Sequence, residues 1–241
     1  DRTKVLENAD FVYKSISIGM QDSEWYDNYL PLKFGIPQNT GDTVGPGGVF
    51  RGLRTNPLAA EIAKDVKKYC PKAPVLNYTN PQATIVMAAR TVCPDVQWIG
   101  LCHALFGGMG TVKNWLAKYQ NLEVARWEDL EYEYGGVNHF AWLTKLAYKG
   151  EDLYPKLRAD AHKLVMEKFS RPFNFFLLEK HGYFPYPGSR HVAEFMFEYY
   201  NYFNHKVQSP YWNFPVIRNV PQLATARRLA YRAMKLSSKG L

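Results

Sequence analysis

The feature that most constrains this chain is a pattern repeated up to Tyr119: a short apolar run, a polar or glycine-bearing turn, then a stretch with helical spacing. Phe11 to Ile18 is rich in β-formers and closes at Gly19. Val75-Leu76-Asn77-Tyr78 leads into Thr79-Asn80-Pro81 and a helix expected through Arg90, with Asn80 as its cap. Val96 to Leu101 leads into Cys102-His103 and a helix expected over Thr111 to Tyr119. Strands alternating with helices in this way fold as a parallel sheet wound by its own crossovers. The expected class is therefore α/β, an incomplete Rossmann-like parallel sheet. Ligands bind beyond the carboxyl ends of such strands, so the turns after these runs are where chemistry is expected.

The stretch Gln97 to Gly108 bears most directly on chemistry. Gly107, Gly108 and Gly110 read as residues that turn the backbone after the strand. A thiol and an imidazole at a strand end, Cys102 and His103, can serve as metal ligand, nucleophile or acid/base; taken alone, they equally fit a buried free cysteine beside a core histidine. Residues 21 to 54 are rich in Gly, Pro, Asp and Asn and read as a long functional loop, with the next helix starting at Asn56-Pro57. No Gly-x-Gly-x-x-Gly turn between a strand and a helix is present; the nearest match, Gly45 to Gly48, follows no strand and opens no helix in this reading.

Farther along, Leu130 to Leu146 reads as strands kinked at Gly135-Gly136. Pro155 to Phe169, Arg171 to Lys180 and His191 to Phe203 read as helices, and Gln222 to Ser237 as a basic helix. The expected division is thus residues 1–125, the C-terminal part of a Rossmann-like domain, and 126–241, a mainly helical α+β domain, together an architecture like that of lactate and malate dehydrogenases. With 46% hydrophobic and 22% charged residues the chain is globular rather than disordered. No run is long enough for a membrane span, the start lacks a signal peptide's apolar region, and three cysteines make no disulfide framework, so a cytoplasmic protein is expected. The net charge of +8 collects after Glu198, where no acid follows, and forms no aromatic-interleaved patch of the kind that reads nucleic acid. The chain starts without Met and the basic tail ends abruptly, which together suggest a fragment.

Three stretches taken together, Asn-Tyr-Thr-Asn-Pro at 77 to 81, Gly-Leu-Cys-His at 100 to 103 and Gly-Val-Asn-His-Phe-Ala-Trp-Leu at 136 to 143, resemble glycoside hydrolase family 4. The run Phe34 to Gly48 with Arg51 and Arg54, then Gly150 to Pro155, then Gly182 to Pro185 ending in Arg190-His191, falls in the same family's order. The resemblance covers residues 1 to about 205. It implies an NAD- and divalent-metal-dependent glycosidase working by oxidation and elimination, a family outside the two-carboxylate rule for glycoside hydrolysis. In that chemistry NAD takes hydride from C3, a base removes the acidified C2 proton, the C1 substituent leaves, water adds and the hydride returns; the metal polarises the oxygens on C2 and C3.

The resemblance also assigns roles. Cys102 and His139 match the metal ligands, with Mn²⁺ or a neighbouring transition metal suited to thiolate and imidazole. Ser17, Gly19 and Asn77 fall at the cofactor, while Asp42, Asn80 and Asn138 fall at the sugar. His103 is the candidate general acid. Related sequences carry an acid in the loop at 187 to 191 and this chain carries none, leaving Tyr183, Tyr186 and His191 as candidate bases. Arg190 suits a uronate carboxylate, and the Gly-Ser-Arg-His and Leu-Cys-His-Ala-Leu-Phe-Gly-Gly runs point to the α-galacturonidase and α-glucuronidase branch, with α-galactosidases second. A homo-oligomer is expected, because aromatic residues from Phe195 to Phe203 cover too many faces of one helix. Competing readings are a 2-hydroxy-acid dehydrogenase of the malate or lactate type, which needs no metal, and an inactive fragment.

Overall fold

The computed structural model describes residues 1 to 196 except Pro37 and Asn39. The described chain forms two compact units, one of Asp1–Cys102 and one starting at His103.

In the first unit, helix α1 (Arg2–Leu6) precedes β1 (Val12–Lys14), which is followed by α2 (Met20–Lys33) and α3 (Gly45–Tyr69). Strand β2 (Val75–Asn77), α4 (Gln82–Val92) and β3 (Trp98–Gly100) complete it. The three strands lie parallel in the order β1-β2-β3, with Val12 opposite Val75 and Val75 opposite Trp98. This is the expected parallel α/β sheet. Val75, Ile85, Ala59, Ala63, Val66 and Val96 form its core between the sheet and its helices. Among the described residues no helix is long and apolar enough to cross a membrane.

The expected long loop over residues 21 to 54 is mostly helix. Helix α3 starts at Gly45 rather than Asn56, and Pro57 lies inside it. Glycine has poor helix propensity, which hides this start in the sequence. The packing explains why glycines are there: a Cβ on Gly47 would lie 2.6 Å from the Asp27 carbonyl oxygen, and one on Gly48 would lie 2.5 Å from the Thr43 backbone. Two helices and a loop meet where only hydrogen atoms fit. The two polypeptide layers are then joined by a forked ion pair, with Arg54 Nη1 and Nη2 donating to the two carboxylate oxygens of Asp27 at 2.8 and 2.5 Å.

The second unit opens with α5 (Ala104–Tyr119), so Gly107, Gly108 and Gly110 are helical rather than a turn. A single 3₁₀ turn (Trp127–Asp129) leads to the antiparallel hairpin of β4 (Glu131–Val137) and β5 (Phe140–Tyr148). Its irregularity falls between Glu133 and Tyr134 rather than at the glycines. Strand β6 (Glu151–Asp152), helices α6 (Tyr154–Met166) and α7 (Pro172–His181), strand β7 (Phe184–Pro185) and helix α8 (Ser189–Phe195) follow. Strands β6 and β7 both pair with β5. Trp115, Leu116, Leu143, Leu157, Phe175 and Phe184 are fully buried in this core. The expected helix past Phe195, with Phe197, Tyr199, Tyr200, Tyr202 and Phe203, and the basic helix from Gln222 lie outside the described residues.

Candidate functional site

The first unit gathers its polar residues at the carboxyl ends of its strands. Asn77 is the last residue of β2 and is completely buried. Its Oδ1 accepts from Lys14 Nζ at 3.2 Å and its Nδ2 donates to the Thr79 carbonyl at 2.9 Å, so the amide has one fixed orientation. Thr79 Oγ1 accepts from the Ile16 backbone at 3.0 Å and ties the turn after β2 to the turn after β1. Ser17 is exposed in that β1 turn, and Gly19, at φ +75°, sits just before α2, where a Cβ would overlap Ser23. Cys102 follows β3 as a half-buried free thiol.

Asn80 does not cap the next helix. Pro81 occupies the cap position of α4 and no side chain bonds there. The amide of Asn80 instead donates to Asp42 Oδ2 at 3.1 Å, and Asp42 Oδ1 accepts from Thr43 at 2.7 Å. Asp42 and Asn80, separated by 38 positions, are thereby brought together. The physical reason is competition: an amide with a buried carboxylate in reach gains more from that charge-assisted bond than from a neutral cap.

Lys14 escaped the sequence reading. It is 4% exposed, its ammonium bonds Asn77, and no carboxylate lies within ion-pair distance among the described residues. Burial pulls its pKa down from the ordinary lysine value to about 8. The available signal was a lysine inside a run of strand-forming residues in a sheet covered on both faces.

The second unit places its imidazoles together. Asn138 and His139 form the two-residue tip between β4 and β5, and His139 is held at φ +66°, a left-handed backbone uncommon for a residue with a side chain. Such strain collects where a side chain must be aimed. His139 is buried and its ring stacks on that of His191 at 3.9 Å between centroids, with 29° between planes. Each ring offers a nitrogen within 4.8 Å of the other's. Beside them Asn138 Oδ1 is buried with no hydrogen-bond partner among the described residues. An orphaned acceptor of this kind calls for a donor that the described residues do not supply. Arg190 precedes His191 in the first turn of α8.

Other expected residues are placed elsewhere in this unit. His103 occupies the cap position of α5 without a side-chain cap bond and is exposed. Tyr183 lies in a cleft with Tyr154 and Arg158, its ring 5.7 Å from that of Tyr154 and 5.6 Å from the Arg158 guanidinium. Tyr186 packs edge-on against Tyr134. Of the candidate bases, His191 alone stacks on His139.

A parallel sheet with polar groups at its strand ends, followed by an antiparallel unit carrying paired imidazoles, defines a Rossmann-like α/β enzyme architecture. Family comparison narrows the class. Residues 1–118 match the model for family 4 glycosyl hydrolases, and residues 134–234 match that family's C-terminal domain. The chain belongs to glycoside hydrolase family 4. It is 35% identical over 224 residues to an alpha-galacturonidase of Thermoanaerobacter italicus, covering 88% of this chain and 49% of that protein. The fold is similar to the crystal structure of a Bacillus subtilis protein described as a glucosidase, with TM-score 0.77, 33% identity, and coverage of 98% of this chain and 57% of that one. It is also similar to a 6-phospho-alpha-glucosidase from gut microorganisms crystallised with NAD and Mn²⁺, with TM-score 0.71, 24% identity, and coverage of 100% and 54%. The chain spans about half the length of the curated relatives it matches.

Proposed function

We propose that the protein containing this chain is an NAD- and divalent-metal-dependent α-glycosidase acting on α-galacturonides. The observation that carries this reading is the hairpin tip of a family 4 chain, where a strained, buried His139 stacks on His191 beside the orphaned Asn138 Oδ1. Imidazole nitrogens and the half-buried Cys102 thiol are donors that divalent transition metals accept, which supports the metal the family implies. Asn77 ends β2 and Ser17 and Gly19 follow β1, at the strand ends where parallel sheets bind dinucleotides, which supports reading them as cofactor residues. When bound, NAD and the metal supply reversible oxidation at C3 and Lewis-acid polarisation of the neighbouring oxygens.

The chain's own residues do the rest in this reading. Cys102 and His139 would hold the metal. Asn138 accepts from a sugar hydroxyl with the oxygen that has no donor among the described residues, and Asn80, oriented by Asp42, donates to another. His191 takes the C2 proton and His103 gives one to the leaving oxygen, since imidazole exchanges protons near neutral pH. Lys14 fixes the orientation of the Asn77 amide at the end of β2. Arg190 pairs with the uronate carboxylate.

The test is turnover by the full-length protein of an α-galacturonide and the matching α-galactoside, each with and without NAD and Mn²⁺. Cleavage of the uronide that requires both additives is expected. Arg190→Ala should raise the barrier behind uronide kcat/KM by about 2 to 5 kcal/mol, as for a charge losing its partner, and change galactoside turnover much less. Equal losses on both substrates would remove Arg190 from the carboxylate. The full protein is read as a homo-oligomer, and sedimentation as a monomer at micromolar concentration would contradict that.

A further inference from the structure

We infer that Asn174 is the positioning residue for His191, acting through the loop between β7 and α8; this rests on the reading of His191 as part of the site. Asn174 lies in the first turn of α7 and is completely buried. Its Nδ2 donates to the carbonyls of Pro185 at 2.5 Å and Pro187 at 2.7 Å, and its Oδ1 accepts from Ser189 Oγ at 2.7 Å. The carbonyl between them, that of Tyr186, accepts from Arg171 Nη1 at 2.6 Å. Three successive carbonyls are therefore held by two side chains from the start of one helix.

The sequence of the loop makes this necessary. Pro185 and Pro187 have no N–H, so the segment cannot lock itself by its own backbone donors. Left unpaired, the carbonyls of the buried Pro185 and Pro187 and of the half-buried Tyr186 would each carry a desolvation cost. A carboxamide alone among side chains of this size gives two donors to the prolyl carbonyls and an acceptor to Ser189. Ser189 opens α8 two residues before His191, so the amide's bonds fix where that helix begins and hence where the His191 ring meets His139. Space for the clamp comes from α5: a Cβ on Gly108 would lie 2.6 Å from the Tyr186 carbonyl oxygen, and one on Gly107 would lie 2.2 Å from the Arg171 guanidinium. Asn174 touches neither histidine, so it works through the loop and not on a substrate.

The experiment uses the full-length protein with ¹⁵N-labelled histidine, in wild type and in Asn174→Asp, Asn174→Leu and Ser189→Ala. Aspartate and leucine keep the shape and remove the donors. In both, the His191 ring resonances should lose the ring-current displacement that the stack with His139 imposes, while His162 and His181 stay where they are. Ser189→Ala removes a single neutral bond, so it should fold normally and displace the same resonances less. Turnover of an α-galacturonide should fall in the Asn174 variants by between about tenfold and a hundredfold, mainly in kcat, as for a misplaced reacting group. Unchanged His191 resonances in folded Asn174→Asp and Ser189→Ala, with only the melting temperature lowered, would make Asn174 a plain core residue and overturn the inference. The resonance readout stands even if the protein proves inactive on uronides, so loss of the functional reading and loss of this one are separable.

Discussion

At the end of β1 a lysine is held almost out of water with an amide as its partner, and that arrangement has a measurable sign. Burial holds the Lys14 pKa at about 8, below its unfolded value near 10.4. Between those two values the unfolded chain binds more protons than the folded one, so folding stability rises with pH through this window. Below about pH 8 the folded protein carries the full cost of a buried ammonium, on the order of 3 kcal/mol. Lys14→Met should accordingly raise the unfolding free energy near pH 7, less whatever the unpaired Asn77 Oδ1 costs, and the gain should fade by pH 10. Thermal unfolding of both proteins across that range checks it; a gain that grows with pH would contradict the assignment. In the proposal that Asn77 serves the cofactor, Lys14→Met in the full-length protein should bind NAD less well.

Among the elements, α2 and α3 show best why some of the structure was legible in the sequence and some was not. The parallel strands could be read because buried β-runs bounded by turns have few alternatives, and β2 and β3 fall within the runs at 75 to 78 and 96 to 101. The start of α3 could not, since Gly45, Gly47 and Gly48 are there for close approach, a tertiary cause that propensity does not see. The same cause turned Gly107 and Gly108 from an apparent turn into helix. Asn80 read as a cap because its partner, Asp42, is remote in sequence. Asn138 and His139 were legible by family motif, whereas their setting, the strained tip and the stack on His191, was not. The α2–α3 contact also yields a stability prediction. Asp27 is 1% exposed; burial pushes its carboxyl up, while the forked Arg54 pulls it back. Arg54→Met should therefore cost about 3–5 kcal/mol at neutral pH by stranding a buried carboxylate. The double variant with Asp27→Leu should recover a good part of that loss in denaturant unfolding. A double variant no better than the single one would show that shape rather than charge governs this contact.

At the scale of the full protein, the proposed hydrolysis passes through a transient loss of the hydrogens on C3 and C2 instead of direct displacement at C1. Three parts of the chain bear on it: the strand ends with Ser17, Gly19 and Asn77, the thiol of Cys102, and the hairpin tip with His139 beside His191. No pair of acids flanking a glycosidic bond is needed in this account, and the loop from Gly182 to His191 contains none. The most direct measurement is the fate of the C2 hydrogen. The full-length protein is given an α-galacturonide with NAD and Mn²⁺ in deuterated water, and the released sugar is examined at C2. Deuterium at C2, with NAD required but not consumed, is the predicted result; cleavage that proceeds without NAD and leaves C2 unlabelled would contradict the account.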